Sequence, residues 1–151
     1  MQFEKQNLER RSVARVLISV SDKSTIEDFS NSLVKNGIEI VSTGGTSKIL
    51  SENGIAVTAV EAVTKFPEMM DGRVKTLHPL IFGGILARDS DKSETEQYNI
   101  GIIDMVVCNL YPFGEAVSKG VDMDALIEEI DIGGPSLLRA AAKNHARVAV
   151  V

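Results

Sequence analysis

The chain has 151 residues, of which 44% are hydrophobic and 25% charged, and this is the length and composition of one globular domain. A formal net charge of −5 and the lack of a long apolar run argue against nucleic-acid and membrane partners and for a cytoplasmic location. A single cysteine excludes an internal disulfide, and two histidines beside it argue against a conventional zinc site.

The first elements are read from short apolar runs and helix signals. Residues 1–14 form a polar lead-in, and the β-branched run 15–20 that follows is typical of a strand buried on both faces. Ser24 and Glu27 have capping-box spacing, which predicts the start of a helix. Gly37 can end this helix, because glycine accepts the left-handed conformation there.

The next segment repeats the same order of elements. A strand over residues 38–42 runs into the turn Thr43-Gly44-Gly45-Thr46, and a short helix follows as far as Leu50. A third strand covers residues 56–60. Strands that alternate with helices in this way indicate a right-handed parallel α/β sheet.

The second half is less uniform. Residues 61–88 are rich in Gly, Pro and Met and are expected to be less regular than the rest of the chain. Beyond them we expect two strands and two helices, over residues 105–110 and 147–151 and over Met123–Ile130 and Ser136–Asn144. The fold class predicted is therefore α/β, with a mostly parallel five-stranded sheet.

Polar or glycine-rich clusters follow the predicted strands, where open α/β sheets bind their ligands. These clusters are Ser19–Lys23, Ser42–Thr46, Arg73–Thr76, Asn109–Tyr111 and Asp131–Gly134. The third is placed by its neighbours rather than by a predicted strand.

The turn Thr43–Thr46 is the clearest candidate for binding an anion. Glycines let the backbone approach a ligand, and the amino terminus of the following helix favours a phosphate. Lys23 on the neighbouring loop supplies a cation for the same group. A tight turn that needs positive φ explains the glycines equally well.

The remaining clusters each have a functional and a structural interpretation. Arg73 and Lys75 project to the same side of an extended segment, although such pairs are usually solvated. Asn109 and Tyr111 end a strand, where such residues either contact a ligand or close the core and the turn. Arg139 and Lys143 share one helix face, which is either solvated or faces an anion or carboxylate such as Asp131.

Together the clusters resemble one known family, the IMP cyclohydrolase domain found at the amino terminus of the bifunctional AICAR transformylase/IMP cyclohydrolases. The motifs that carry this resemblance are Ser19–Lys23, Thr43–Thr46, Phe66–Met69, Gly72–Pro79, Gly84–Arg88, Cys108–Phe113, Asp131–Gly134 and Leu137–His145. The match extends from about Val16 to the last residue.

The resemblance implies a methylglyoxal-synthase-like (MGS-like) three-layer fold and a ring-closing reaction. The carboxamide nitrogen of formyl-AICAR (FAICAR) attacks the formyl carbon, and water leaves to give IMP, the last step of purine biosynthesis. It implies no metal or other cofactor, a homodimer, and a usual fusion to AICAR transformylase. Residues 15–151 would be the cyclohydrolase domain, without its C-terminal continuation or the transformylase domain.

The resemblance also implies roles for individual residues. Lys143 would be the principal proton donor or acceptor, supported by Lys75, Tyr111 and Asp131. The nucleotide would contact Ser21, Asp22, Lys23, Ser42, Thr43, Gly44, Gly45, Arg73, Val74, Thr76, Cys108, Asn109 and Ile132.

Two other functions share this fold class. Methylglyoxal synthase would need a carboxylate base and a neutral imidazole, whereas this chain offers Arg73, Lys75 and Tyr111. A regulatory nucleotide-binding module would keep the phosphate turn but would not need Lys143, Asp131 and Tyr111 together. Turnover of FAICAR separates both from a cyclohydrolase.

Overall fold

The computed structural model describes residues 11–151, so that residues 1–10 of the predicted lead-in lie outside the described residues. Five strands form one sheet in the order β3-β2-β1-β4-β5, and each neighbouring pair is parallel. The strands are β1 Arg15–Ser19, β2 Glu39–Ser42, β3 Thr58–Ala59, β4 Met105–Cys108 and β5 Ala149–Val150. The predicted α/β class is confirmed. All neighbouring strands of the sheet are parallel, whereas a mostly parallel sheet was expected.

Helices connect the strands. They are α1 Ile26–Lys35, α2 Gly44–Glu52, α3 Val60–Thr64, α4 Pro79–Leu86, α5 Lys92–Gln97, α6 Phe113–Ser118, α7 Met123–Glu128 and α8 Gly133–Lys143, with a 3₁₀ turn at Asp89–Asp91. Within residues 11–151 no helix is long and apolar enough to cross a membrane.

The central strand β1 separates two cores, because successive side chains of a strand point to opposite faces. Val16 and Ile18 pack with residues of α1 and α2 on one face. Leu17 packs with residues of α4 and α8 on the other. The three residues are fully buried, which explains why this run is apolar without alternation.

Residues 61–88, which were expected to be less regular, contain α4 and most of α3. Helix α4 has almost no polar residue, so it carries no amphipathic pattern. It also contains Gly84, where a Cβ would stand 2.4 Å from the carbonyl oxygen of Gly101. The helix therefore packs too closely against the chain before β4 for any larger residue.

Several helix boundaries differ from the predicted ones, and α7 ends at Glu128 rather than at Ile130. Thr25, not Ser24, precedes α1 and it makes no side-chain cap, so the predicted capping box is wrong. Helix α8 begins at Gly133, three residues before the predicted start. The predicted helix end at Gly37 is confirmed, since its φ is +74° and it follows the last turn of α1.

Candidate functional site

A cavity of about 500 Å³ lies at the carboxyl edge of the sheet. All five polar clusters contribute to its lining, because parallel strands bring their carboxyl ends to the same edge. The lining residues are Ser19, Val20, Ser21, Lys23, Thr43, Gly45, Thr46, Asp71, Gly72, Arg73, Lys75, Thr76, Leu77, Asn109, Tyr111, Ile127, Glu128, Ile130, Asp131, Ile132, Gly133 and Gly134.

The amino terminus of α2 forms one wall of the cavity. Thr43 precedes the helix and, within residues 11–151, makes no side-chain capping hydrogen bond. The first N–H groups of a helix have no partner inside it, so those of Gly44 and Gly45 remain to be satisfied. A Cβ at Gly45 would lie 3.9 Å from Cε of Lys23, so a cation stands beside these donors.

The amino terminus of α8 forms a second wall, but a carboxylate already caps it. Oδ1 of Asp131 accepts the N–H of Gly134 at 2.9 Å. A Cβ at Gly133 would lie 3.3 Å from Oγ1 of the buried Thr76 and 4.0 Å from Oδ1 of Asp131. Of the two helix ends, only that of α2 therefore offers uncapped donors to a ligand anion.

Asn109 joins two of the loops that form the cavity. Its Oδ1 accepts the N–H groups of Ser21 and Asp22 at 2.6 Å and 3.0 Å, and its Nδ2 donates to the carbonyl of Asp22. The carboxylate of Asp22 accepts the N–H of Ser24, and this hydrogen bond lowers the pKa of Asp22. These bonds fix the loop after β1 against the end of β4.

The segment 66–78, which we call the strap, crosses beside the cavity. Met69 and Val74 exchange backbone hydrogen bonds of 3.0 Å and 3.3 Å, which closes a turn between them. Within that turn Met70, Asp71 and Gly72 all have positive φ, at 55°, 53° and 86°. Such angles are unfavourable for the first two residues.

A charged pair connects the strap to α7, and a carboxylate of the strap lies close to α2. The guanidinium of Arg73 donates two hydrogen bonds to the carboxylate of Glu128 in α7, one of them from Nε to Oε2 at 3.2 Å. This pair lowers the pKa of Glu128 and raises that of Arg73. On the other side, Oε2 of Glu68 lies 3.1 Å from the position of a Cβ at Gly44.

Lys75 and Glu68 meet at Gly72. A Cβ at Gly72 would lie 2.7 Å from Oε1 of Glu68 and 3.6 Å from Nζ of Lys75. The ammonium of Lys75 is thus held in the cavity wall near a carboxylate on the same strap.

Cys108 is the last residue of β4 and is half-buried. Burial, and then the negative charge of Asp131, raise the pKa of its thiol to about 11. The thiol is therefore a neutral group beside the cavity at physiological pH.

Most of the predicted site residues line the cavity, but six do not: Asp22, Ser42, Gly44, Val74, Cys108 and Lys143. All of these except Lys143 are immediate neighbours in sequence of lining residues. Ser42 is fully buried and its hydroxyl donates to the carbonyl of Ile18 at 2.8 Å, so it joins β1 to β2.

Lys143 stands apart from the other predicted catalytic residues. It is the exposed last residue of α8, whereas Gly133 at the other end of that helix lines the cavity. Ten residues of α-helix span about 15 Å. Lys75, Tyr111 and Asp131 are brought together at the cavity, and Lys143 is not.

Several lining residues were not predicted. Ile127 and Glu128 belong to α7 and Ile130 lies two residues after it, in a segment that the sequence places in an ordinary helix. Their unusual exposure is visible only in the structure: Ile127 and Ile130 are 47% and 53% exposed. An apolar residue at helical spacing normally indicates core, so the sequence carried no signal for these three.

The side chains at the cavity suit an anionic organic ligand. The lining combines the cations Lys23, Arg73 and Lys75 with the carboxylates Asp71, Glu128 and Asp131, hydroxyl groups and exposed apolar side chains. The attraction for an anion is therefore local, at Lys23 beside the uncapped end of α2. Within residues 11–151 no group of three or more His, Cys, Asp or Glu side chains is arranged to hold a metal ion.

The chain is similar to known proteins in both sequence and structure. The family model of the MGS-like domain matches residues 25–136. The bifunctional purine biosynthesis protein PurH of Paracoccus denitrificans (strain Pd 1222) is 56% identical over 146 residues, which are 95% of this chain and 28% of that protein. The crystal structure of ForH superposes with a TM-score of 0.75 at 35% identity, over 93% of this chain and 74% of that one. The chain thus spans less than a third of the length of the PurH relative.

Proposed function

The chain belongs to the family of MGS-like domains, and we propose that it acts in purine biosynthesis as an IMP cyclohydrolase. The high identity to a bifunctional purine biosynthesis protein supports the pathway. The cavity supports a nucleotide, because its volume of about 500 Å³ lies in the usual range for small-molecule sites, about 300–1,000 Å³.

One observation carries the proposal: two helix ends face the same cavity, and only one is capped. The uncapped end of α2 with Lys23 is the proposed phosphate subsite. The end of α8, capped by Asp131, is the proposed base subsite. Lys75, Thr76 and Tyr111 line the cavity with them.

The reaction needs proton transfer and correct alignment. The carboxamide nitrogen forms a bond to the formyl carbon, and the bond from that carbon to its oxygen breaks. One proton from the carboxamide nitrogen and one from the formamido nitrogen leave on that oxygen as water. Because both reacting groups belong to one molecule, holding them in the reactive rotamer supplies much of the rate enhancement.

The cavity offers groups for each proton step. The ammonium of Lys75 and the hydroxyl of Tyr111 are donors for the formyl oxygen, and the carboxylate of Asp131 is an acceptor for a nitrogen-bound proton. Hydrogen bonding to Gly134 holds that carboxylate in a defined orientation.

Lys143 is a separate case, because its catalytic role is implied by the resemblance and its position is outside the cavity. The role stays a prediction. A lowered turnover number for Lys143→Ala, with unchanged affinity for IMP, would support it. Arg139→Ala is the matched control, since it removes another exposed cation from the same helix.

The decisive experiment is turnover of synthetic FAICAR, followed by the appearance of IMP. We expect IMP to form with the wild-type chain and at least about a hundredfold more slowly with Lys75→Ala. Lys48→Ala should behave as wild type, because Lys48 is exposed on α2 and absent from the cavity. IMP binding without turnover would instead indicate a regulatory module.

The alternative activity, that of a methylglyoxal synthase, is tested by incubating the chain with dihydroxyacetone phosphate. The structure does not favour it, because neither His78 nor His145 lines the cavity. Nδ1 of His78 accepts the N–H of Leu80 and so caps α4. Formation of methylglyoxal by the wild-type chain would overturn the cyclohydrolase proposal.

A further inference from the structure

We propose that Glu128 is a positioning residue, which anchors the strap at the cavity through Arg73. This inference rests on the proposed function, because it concerns how the same cavity is kept ready for a nucleotide. It assigns to α7 a role in the site, although this helix buries no residue.

The first argument is the strain in the strap. Three successive residues with positive φ, 70–72, form its turn, and two of them are not glycine. Such angles are unfavourable for residues other than glycine and persist only where the surrounding structure holds them. Backbone bonds between Met69 and Val74 close the turn but do not attach it to the rest of the molecule.

The second argument is that the Arg73–Glu128 pair makes this attachment. Among residues 11–151, it is the only ion pair that joins the strap to another element. Its two hydrogen bonds run from the planar guanidinium to both carboxylate oxygens, a geometry that fixes orientation as well as distance. Both residues line the cavity.

The third argument is what the strap carries. Lys75 and Thr76 follow Arg73 closely, and both line the cavity. Glu68 extends from the same strap towards the amino terminus of α2. A shift of the strap would therefore move one proposed catalytic group and disturb the proposed phosphate subsite together.

The pair contributes little to the stability of the fold. Both side chains are 60% exposed, and ion pairs at such exposure contribute little to the free energy of unfolding because water screens them. A positioning role therefore predicts a variant that is folded but deficient in the site. This separates it from a merely structural role.

The test compares Glu128→Gln with Glu129→Gln, which removes the adjacent carboxylate of the same segment and leaves the pair intact. We expect the melting temperature of Glu128→Gln to lie within a few degrees of that of wild type. Calorimetry should show that it binds IMP at least about fivefold more weakly. Its kcat/KM for FAICAR should fall by a larger factor than its affinity for IMP. Glu128→Asp, which keeps the charge, should recover part of the affinity. Glu129→Gln should match wild type.

The alternative is that Glu128 merely occupies Arg73 until the ligand displaces it. In that case Glu128→Gln would bind IMP as tightly as wild type or more tightly, and this result would overturn the inference. Failure of the proposed function gives a different result: wild type would not convert FAICAR, while the order of IMP affinities among the variants would stand.

Discussion

The two lysines of the cavity occupy different environments, so replacing each of them should affect a different kinetic constant. Lys23 lies by the uncapped end of α2, where it can hold a phosphate in substrate and transition state alike. Lys75 lies on the strap, where it can reach the reacting groups. Ground-state contacts affect KM, whereas groups that act in the transition state affect kcat.

Lys23→Ala should therefore mainly raise KM for FAICAR, and Lys75→Ala should lower kcat by roughly a hundredfold to ten-thousandfold, the usual range for proton-transfer groups. Steady-state kinetics of the two variants, with Lys48→Ala as the control, measure this difference. Equal losses in kcat for both lysines would contradict the assignment of separate subsites.

Cys108 provides a second prediction at the residue scale. Burial and the nearby carboxylate raise its pKa to about 11, so at pH 8 roughly a thousandth of the thiol is ionised. Iodoacetamide should modify it at least about a hundredfold more slowly than a free thiol of pKa about 8.5. The rate should then rise up to about pH 11.

The same shift makes a contribution to stability that depends on pH. The folded state has the higher thiol pKa, so the unfolded state loses its proton first as the pH rises above about 8.5. This contribution is complete below that pH and is lost progressively up to about pH 11. Asp131→Asn should lower the thiol pKa, and an unchanged labelling profile in that variant would show that the two groups do not interact.

Among the helices, α8 owes its place in the site to its first turn. A Cβ at Gly134 would stand 2.5 Å from Oδ2 of Asp131 and 2.6 Å from Cδ2 of Leu110. Gly134→Ala should therefore displace the capping carboxylate, destabilise the fold by about 1–3 kcal/mol, and lower FAICAR turnover. Denaturant unfolding and kinetics measure both effects.

Gly114→Ala is the matched control for this substitution. It also lies in the first turn of a helix, α6, but a Cβ there would meet no atom within 4 Å. Alanine should leave stability unchanged or raise it slightly, since glycine is the poorer helix former. If both variants behaved alike, the crowding at Gly134 would not be the cause.

Helices α6 and α7 should be the least stable helices of the domain. Neither buries a residue, although exposed apolar side chains such as Val117, Met123 and Ile127 lie on them. Few buried contacts imply local opening at low free energy. Hydrogen exchange should therefore be much faster in α7 than in β1, and IMP should slow it in α7.

The order of the five strands and of α1, α2, α7 and α8 could be predicted from sequence, because short β-branched runs and glycine-ended helices are local signals. The short helices α3, α5 and α6 were not predicted. Helix α4 could not be predicted, since its residues are apolar on all sides and so carry no periodicity. The Arg73–Glu128 pair joins residues 55 apart in sequence, and no local pattern indicates such a contact. The distance of Lys143 from the cavity likewise depends on where α8 begins and how it runs.

At the scale of the whole molecule, the cavity links most of the fold. Its lining comes from the loops after β1, β2 and β4, from the strap, and from the start of α8. A ligand that contacts all of these binds the folded state alone, because the unfolded chain does not assemble the site. Binding should therefore raise the free energy of unfolding by mass action.

At a free IMP concentration one hundred times its dissociation constant, this gain is about 2.7 kcal/mol. For a domain of this length it corresponds to a rise in Tm of roughly 5–10 °C. Inosine at the same concentration should give a much smaller rise, because it has no phosphate for the uncapped end of α2 and for Lys23. Differential scanning fluorimetry of both ligands measures the difference.

Lys23→Ala identifies the source of that difference. If the phosphate binds where we propose, this variant loses much of the IMP-induced rise in Tm and keeps whatever rise inosine produces. Lys48→Ala, on the outer surface of α2, should keep both. Ligand-free melting temperatures of the three proteins should agree closely, since neither lysine belongs to the buried core. Equal stabilisation of the wild-type domain by IMP and inosine would place the phosphate outside the cavity and remove the basis for the nucleotide assignment.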